Sequence, residues 1–288
     1  MPFPFLRPKD SFITCRDRDD GGGAQISARI STMIFARLRG LTYVHTPVAD
    51  VAHAPAGMAA TDWSRAWEDF FNLGSDEIPA ADVEARGLPV VAVRKPHRFL
   101  PRSHRLHVVA HCHKVTDRHP ESWDAIAPEL REKYLLSDKP YLAGYDDGRV
   151  QIAVHLRRGD VGSSGRFSER FTTDDVMIGR LRKVVEAVGP DHATVRLFSQ
   201  GEAADFRAYA DLGARLHLDD DVFESFHHFV SSDILFVAKS TFSYLGGVIG
   251  GQTCIYEPFW HPGLPGWLTP DDLDKPDLKR RFARLGAS

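Results

Sequence analysis

The stretch Gln151-Ile152-Ala153-Val154-His155-Leu156-Arg157-Arg158-Gly159-Asp160 carries both an architectural and a chemical signal. Gln151 to His155 is a short apolar run, the pattern of a strand buried on both faces of a parallel sheet. The arginines follow where that strand ends. In open α/β sheets, ligands bind outside the carboxyl ends of the strands. Two adjacent guanidiniums offer planar N–H forks that match phosphate oxygens, a geometry lysine does not reproduce. From spacing alone, a phosphate site and a surface salt-bridge cluster are equal readings. Arg158-Gly159-Asp160 also spells the cell-adhesion tripeptide, which requires an exposed loop.

Strands alternate with helical patterns on either side of this stretch. Downstream, Thr173 is the expected N-cap of a helix to Val188, stopped by Gly189-Pro190. Strands are expected at Thr194–Phe198, Arg215–Leu218, Ile234–Ala238 and Thr253–Tyr256. Helices are expected at Ala203–Leu212, Val222–Val230 and Phe242–Ile249, with a charged helix over Asp271–Leu285. Upstream, Ser11–Cys15 reads as a strand and Gly21-Gly22-Gly23-Ala24-Gln25 as a glycine loop. A helix with Ile26, Ile30, Met33, Ile34 and Leu38 on one face then ends at Gly40, before a strand at Leu41–His45. Thr61 to Leu73 predicts an aromatic helix, with Trp63, Trp67, Phe70 and Phe71 on one face and Gly74 as its stop. Val90–Val93 and Leu106–Ala110 are further strands, and Trp123–Leu136 a further helix. The whole predicts an α/β chain with two lobes, residues 1–148 and 149–288, divided near Asp146-Asp147-Gly148.

Composition narrows the function classes. The chain has 288 residues and a formal net charge of −3, so no global basic field favours nucleic acid. Three widely spaced cysteines, Cys15, Cys112 and Cys254, make neither a disulfide framework nor a zinc pattern, which favours a reducing, cytoplasmic setting. No apolar run approaches the 18 or so residues of a membrane span. Met1-Pro2-Phe3-Pro4-Phe5 is soon followed by Arg7, Lys9 and Asp10, so neither a signal peptide nor a membrane anchor is expected.

Other strand ends carry candidate ligand groups. Ser240 and Thr241 open the helix after the Ile234 strand, where hydroxyls and first-turn N–H groups suit an anion; a plain Ser/Thr cap is the bland alternative. Ser199 and Gln200 follow the Thr194 strand and suit a base or ribose, or a helix cap. Gly22, Gly23 and Gln25 permit close backbone approach, although the loop fits neither the Walker nor the GxGxxG pattern. His227 lies on a helix. His111 and His113 share a strand face, too few groups for a metal site.

Together these stretches resemble the GDP-fucose fucosyltransferases that share the α-1,2 and α-1,6 motif set. The resemblance runs over roughly residues 18–262. It rests on the glycine loop Gly21–Gln25, on the HxRRxD motif His155–Asp160, and on Ser240-Thr241-Phe242, preceded by Phe198–Gly201. It implies a GT-B-like fold with two Rossmann-like lobes, the N-terminal one partial and on the acceptor side. It implies an inverting, metal-independent glycosyltransferase with no cofactor, taking GDP-fucose and a carbohydrate acceptor. Arg157 and Arg158 are implied to hold the diphosphate, with His155 beside the nucleotide. Ser240, Thr241 and Phe242 are implied to complete the phosphate and sugar site, with Gly22, Gly23 and Gln25 closing over the donor. Asp160 and Glu169 are the candidate bases. Ser225 departs from the pattern, where many members carry an acidic residue; Glu224 stands beside it. Another sugar nucleotide on the same fold, and a non-catalytic carbohydrate- or nucleotide-binding module, are the competing expectations.

Overall fold

A computed structural model of the chain describes residues 11–96, 104–165 and 167–282. The chain divides into two compact units, Met1–Asp138 and Lys139–Ser288. The division falls ten residues before the expected 148/149 boundary, because residues 143–147 are bonded into the second unit. Arg196 donates to the carbonyls of Ala143 (3.2 Å) and Gly144 (3.1 Å), and Gln151 Nε2 donates to Asp147 (2.9 Å). The Asp146-Asp147-Gly148 turn therefore lies inside that unit.

In the first unit, strand β1 (Ser11–Cys15) leads to helix α1 (Gly22–Arg39), which Gly40 ends in the left-handed conformation. Strand β2 (Thr42–His45), helix α2 (Ala60–Phe71), strand β3 (Ile78–Pro79), helix α3 (Ala80–Glu84), and strands β4 (Val90–Ala92) and β5 (Arg105–Val109) follow. Helices α4 (His113–Thr116) and α5 (Pro120–Tyr134) complete it. The sheet is parallel in the order β3-β2-β1-β5-β4. Its outer strands have only two and three residues. Phe12, Val44, Leu106 and Val108 form a core with Val83 of α3. The aromatic face of α2 is buried as expected, and Trp67 stacks on Phe71. Its stop is Asn72 in the left-handed region rather than Gly74; Gly74 instead leaves room for the His45 ring.

The second unit contains strand β6 (Val150–His155), helix α6 (Asp174–Val188), strand β7 (Ala193–Ser199), helix α7 (Arg207–Ala210) and strand β8 (Arg215–Leu218). Helix α8 (Val222–Ser231), strand β9 (Ile234–Val237), helix α9 (Thr241–Gly250), strand β10 (Thr253–Tyr256) and helix α10 (Leu278–Phe282) follow. The order is β10-β9-β6-β7-β8, all parallel. Counted within the unit this is 3-2-1-4-5, the Rossmann arrangement, whose direction reverses between β6 and β9. Ile152, Val154, Leu197, Ile234 and Phe236 bury one sheet face against Leu181 and Val184 of α6 and Phe282 of α10. The expected tail helix is split into a 3-10 turn (Pro270–Asp274) and α10, with Pro276 between them. Residues 283–285 of that expectation lie outside the described residues, as does the Met1–Asp10 opening. The Ala203–Leu212 helix likewise begins as a 3-10 turn (Ala203–Phe206) before α7. Among the described residues no helix is long and apolar enough to cross a membrane, and Cys15, Cys112 and Cys254 are free and buried.

Candidate active site

The β6–β9 reversal is where two motifs far apart in sequence meet. Val154 is in register with Phe236, so the chain leaving β6 and the chain leaving β9 emerge side by side. Arg157 stands on the first exit and Ser240 on the second. Arg157 Nη1 donates to Ser240 Oγ at 3.1 Å. Its Nε and Nη2 donate to the two carboxylate oxygens of Asp160, at 3.1 and 2.7 Å. The guanidinium is thus fixed by a carboxylate on one edge and a hydroxyl on another. Ser240 is 1% exposed and caps α9, its Oγ accepting from Phe242 N at 3.3 Å. The cap brings the positive end of the α9 dipole to the guanidinium. Thr241 is the first residue of α9 and partly buried.

Gly159 makes the turn between Arg157 and Asp160 possible. Its φ is +75°, and a Cβ there meets Gln200 Oε1 at 2.5 Å. The left-handed backbone conformation is what favours glycine here, since the exposed Gln200 side chain has room to move aside. Partial burial alone raises the Asp160 carboxyl; the hydrogen bonds and charge of Arg157 outweigh it and hold the group below the usual carboxylate range. Asp160 is therefore a locked anion that orients Arg157 and a weak proton acceptor.

Arg158 turns away from its neighbour. Nη2 donates to Thr172 O (3.0 Å) and to Asp174 (2.8 Å), and the guanidinium lies 4.2 Å over the Phe171 ring. Asp174 also accepts from Tyr209 (2.9 Å). Arg158 thus clamps the 170–174 segment to the start of α6, so the two adjacent guanidiniums line one recess but are held by different partners. Held in this way, at 14% side-chain exposure, Arg158 is not presented as an adhesion tripeptide needs.

Several groups that the sequence did not single out complete the recess. Its wall includes His155, Arg157, Arg158, Arg170, Arg180 and Glu257, four guanidiniums to one carboxylate. Glu257 follows β10 and accepts from Arg180 (2.9 Å), Lys239 (2.9 Å) and Thr172 (3.0 Å). Burial opposes its ionisation, but these donors prevail and the carboxyl is held below its ordinary value. Lys239 also donates to the Glu169 carbonyl at 3.1 Å. Glu169 itself sits on a 3-10 turn (Ser168–Arg170) with its side chain 63% exposed, its carboxylate 3.9 Å from Arg170 Nε.

His155 closes the inner wall between Phe229 (5.1 Å) and Phe242 (6.1 Å). Burial, reinforced by the Arg157 charge, pushes its imidazole down to about 3, so it is neutral at physiological pH. Its Nδ1 is buried and meets no hydrogen-bond partner among the described residues. Phe242 also packs on Phe226, which places its ring in the aromatic core behind the recess. Ser199 gives its hydroxyl to the Leu156 carbonyl at 2.9 Å, while Gln200 stays exposed beside Gly159. His227 is half-buried on α8.

The first unit's candidate residues serve packing. Gly22 and Gly23 lie buried in the first turn of α1, where a Cβ on Gly22 runs into the Trp67 ring. Gln25 is 0% exposed, and its Nε2 meets the carbonyls of Ala49 (2.8 Å), Asp20 (3.2 Å) and Arg18 (3.3 Å). The glycines and Gln25 are thus part of the helix and its anchorage rather than an open loop. His111 and His113 stack at 5.1 Å.

No family model matches the chain, and no curated protein matches it. Solved structures with a related arrangement include POFUT1 in complex with GDP. It is 10% identical, with 85% of this chain and 95% of that chain covered and a TM-score of 0.43. POFUT1 in complex with GDP-fucose is 10% identical over 91% and 98%, with a TM-score of 0.41. The fucosyltransferase NodZ from Bradyrhizobium is 13% identical over 88% and 97%, with a TM-score of 0.38. At these identities and scores the likenesses assign neither a family nor an activity to the chain.

Proposed function

We propose that the chain is a glycosyltransferase that moves a fucosyl group from GDP-fucose to a carbohydrate hydroxyl, with inversion and without a metal ion. The observation that carries this reading is the Arg157–Ser240 contact, which joins a guanidinium to the capped N-terminus of α9 at the sheet's switch point. Both groups favour a diphosphate. The choice of fucose follows the motif resemblance of His155–Asp160 and Ser240-Thr241-Phe242.

Transfer breaks the bond between the anomeric carbon and the diphosphate oxygen, and the electron pair leaves on the nucleotide. Fixed donors that meet this charge as it develops lower the barrier. Arg157 supplies such a donor, and Asp160 keeps its fork oriented. Arg170 and Arg180 add positive charge in the recess wall. The acceptor oxygen attacks the opposite face and gives up its proton. Of the two candidate bases, Asp160 is committed to Arg157, whereas Glu169 is exposed beside the recess wall. Glu169 is therefore the better proton acceptor of the pair.

A thermal-shift screen of GDP-fucose against UDP- and dTDP-sugars, with and without EDTA, tests the reading. A shift specific to GDP-fucose and indifferent to EDTA is expected. A preference for another sugar nucleotide, or a shift abolished by EDTA, contradicts the donor or the metal independence respectively.

A further inference from the structure

Trp260 is 48% exposed, yet it sits on a segment pinned at several points. Tyr256 donates its hydroxyl to the His261 carbonyl and accepts from Phe259 N (3.1 Å); Tyr244 donates to the Pro262 carbonyl (3.1 Å). Phe259 packs against Tyr244 and Tyr256, and His261 is 4% exposed. The neighbours on both sides turn inward and hold the indole at the surface. One side of the indole meets Arg170, whose guanidinium lies 4.1 Å from the Trp260 ring and 4.4 Å from Phe167. Arg170 is also a wall residue of the recess that holds Arg157. One side chain thus separates a fixed, solvent-facing aromatic ring from the anion site.

The sheet order says which end of a sugar nucleotide this ring faces. Polar groups suited to a nucleoside, Ser199, Gln200 and Asp219, stand at the ends of β7 and β8, on one side of the switch point. The diphosphate site lies over β6 and β9. Trp260 follows β10, on the opposite side. A nucleotide laid across the sheet in this order points its sugar end towards Trp260. A pyranose presents a face of C–H groups that suits an aromatic ring, and equatorial hydroxyls that need polar partners at the rim. The exposed Glu169 carboxylate, adjacent to Arg170 in the chain, is such a partner.

We infer that Trp260 is the platform of a pyranose subsite adjoining the diphosphate site, with Arg170 fixing the ring and Glu169 at its rim. The inference rests on the sugar-nucleotide reading of the Arg157 site. The ring it receives belongs to the donor or to the acceptor, and one experiment separates the two. GDP and GDP-fucose are titrated calorimetrically into wild type, Trp260→Ala and Trp260→Phe. A panel of methyl pyranosides is then scored by saturation-transfer NMR with GDP bound, after circular dichroism has confirmed the fold of each variant. If the donor sugar is held, Trp260→Ala weakens GDP-fucose about fivefold to tenfold while leaving GDP unchanged, and Trp260→Phe restores most of it. If the acceptor is held, both nucleotides bind as in wild type, but the pyranoside signal disappears in Trp260→Ala and persists in Trp260→Phe. The platform is overturned if Trp260→Ala changes no sugar-dependent signal, or weakens GDP and GDP-fucose equally. Wild-type protein that binds neither nucleotide overturns the donor reading itself, a result distinct from normal GDP binding with an indifferent Trp260.

Discussion

Arg157 Nη1 donates a 3.1 Å hydrogen bond to Ser240 Oγ across 83 residues of sequence. The bond exists because β6 and β9 are sheet neighbours although two other strands lie between them in the chain. It ties an arginine loop to a helix N-terminus, and the rest of the site is arranged around it.

Replacing Arg157 with alanine is expected to cost roughly 3–4 kcal/mol of transition-state stabilisation, a fall in kcat of about 10²–10³-fold. Arg157→Lys keeps the charge but loses the fork that spans Asp160 and Ser240, so it should recover little. Steady-state transfer rates, with melting curves to confirm folding, check both variants. Near wild-type turnover in folded Arg157→Ala protein removes the residue from the mechanism.

Arg158→Ala should behave differently from Arg157→Ala. Its guanidinium bonds Thr172 O and Asp174 and stacks on Phe171, so its loss should destabilise the unit by about 1–3 kcal/mol. Calorimetry should show a Tm lowered by a few degrees, with GDP still bound by the folded fraction. An unchanged Tm with lost GDP binding returns Arg158 to the ligand site.

The structure explains why the Arg157–Arg158 pair divides. Successive residues in extended chain point in opposite directions, so adjacent side chains meet different partners. That rule was available from the sequence, but the destination of Arg158 was not, since Asp174 and Thr172 lie 16 and 14 residues away. The β6 run was legible because a parallel buried strand is apolar on both faces. So was the end of α1, because Gly40 supplies a left-handed cap. Strand β3 and helix α3 were not: Ile78-Pro79 is too short for any alternation to show. Glu257 follows β10 at the strand's carboxyl end, as Arg157 follows β6, but no motif around it marks it in the sequence. Its partners, Thr172, Arg180 and Lys239, come from three other parts of the chain.

Glu257 makes a pH-dependent contribution to stability. Its folded carboxyl lies below the ordinary 4.5, so the folded state favours the ionised form. The stabilisation is complete above pH 4.5 and is lost as pH falls through the folded value. Glu257→Gln should be less stable than wild type by roughly 2 kcal/mol at pH 7. The gap should narrow progressively as urea unfolding is repeated at pH values falling below 4.5. A gap independent of pH argues that the ion pairs contribute nothing.

Gly22→Ala sets two effects against each other. Alanine favours the helix by about 1 kcal/mol. Its methyl, however, overlaps the Trp67 ring, and overpacking costs about 1–3 kcal/mol. Destabilisation is expected on balance, with a lowered Tm in a thermal melt. A raised Tm shows that the Trp67 ring moves aside at little cost.

The central claim is that the Arg157–Ser240 junction binds the diphosphate of a sugar nucleotide. Calorimetric titration of GDP-fucose in EDTA, into wild type and into folded Arg157→Ala, tests it most directly. Saturable binding by wild type, weakened about tenfold to a hundredfold in the variant, is the predicted result. Equal affinity of the two proteins, or no binding by either, contradicts it.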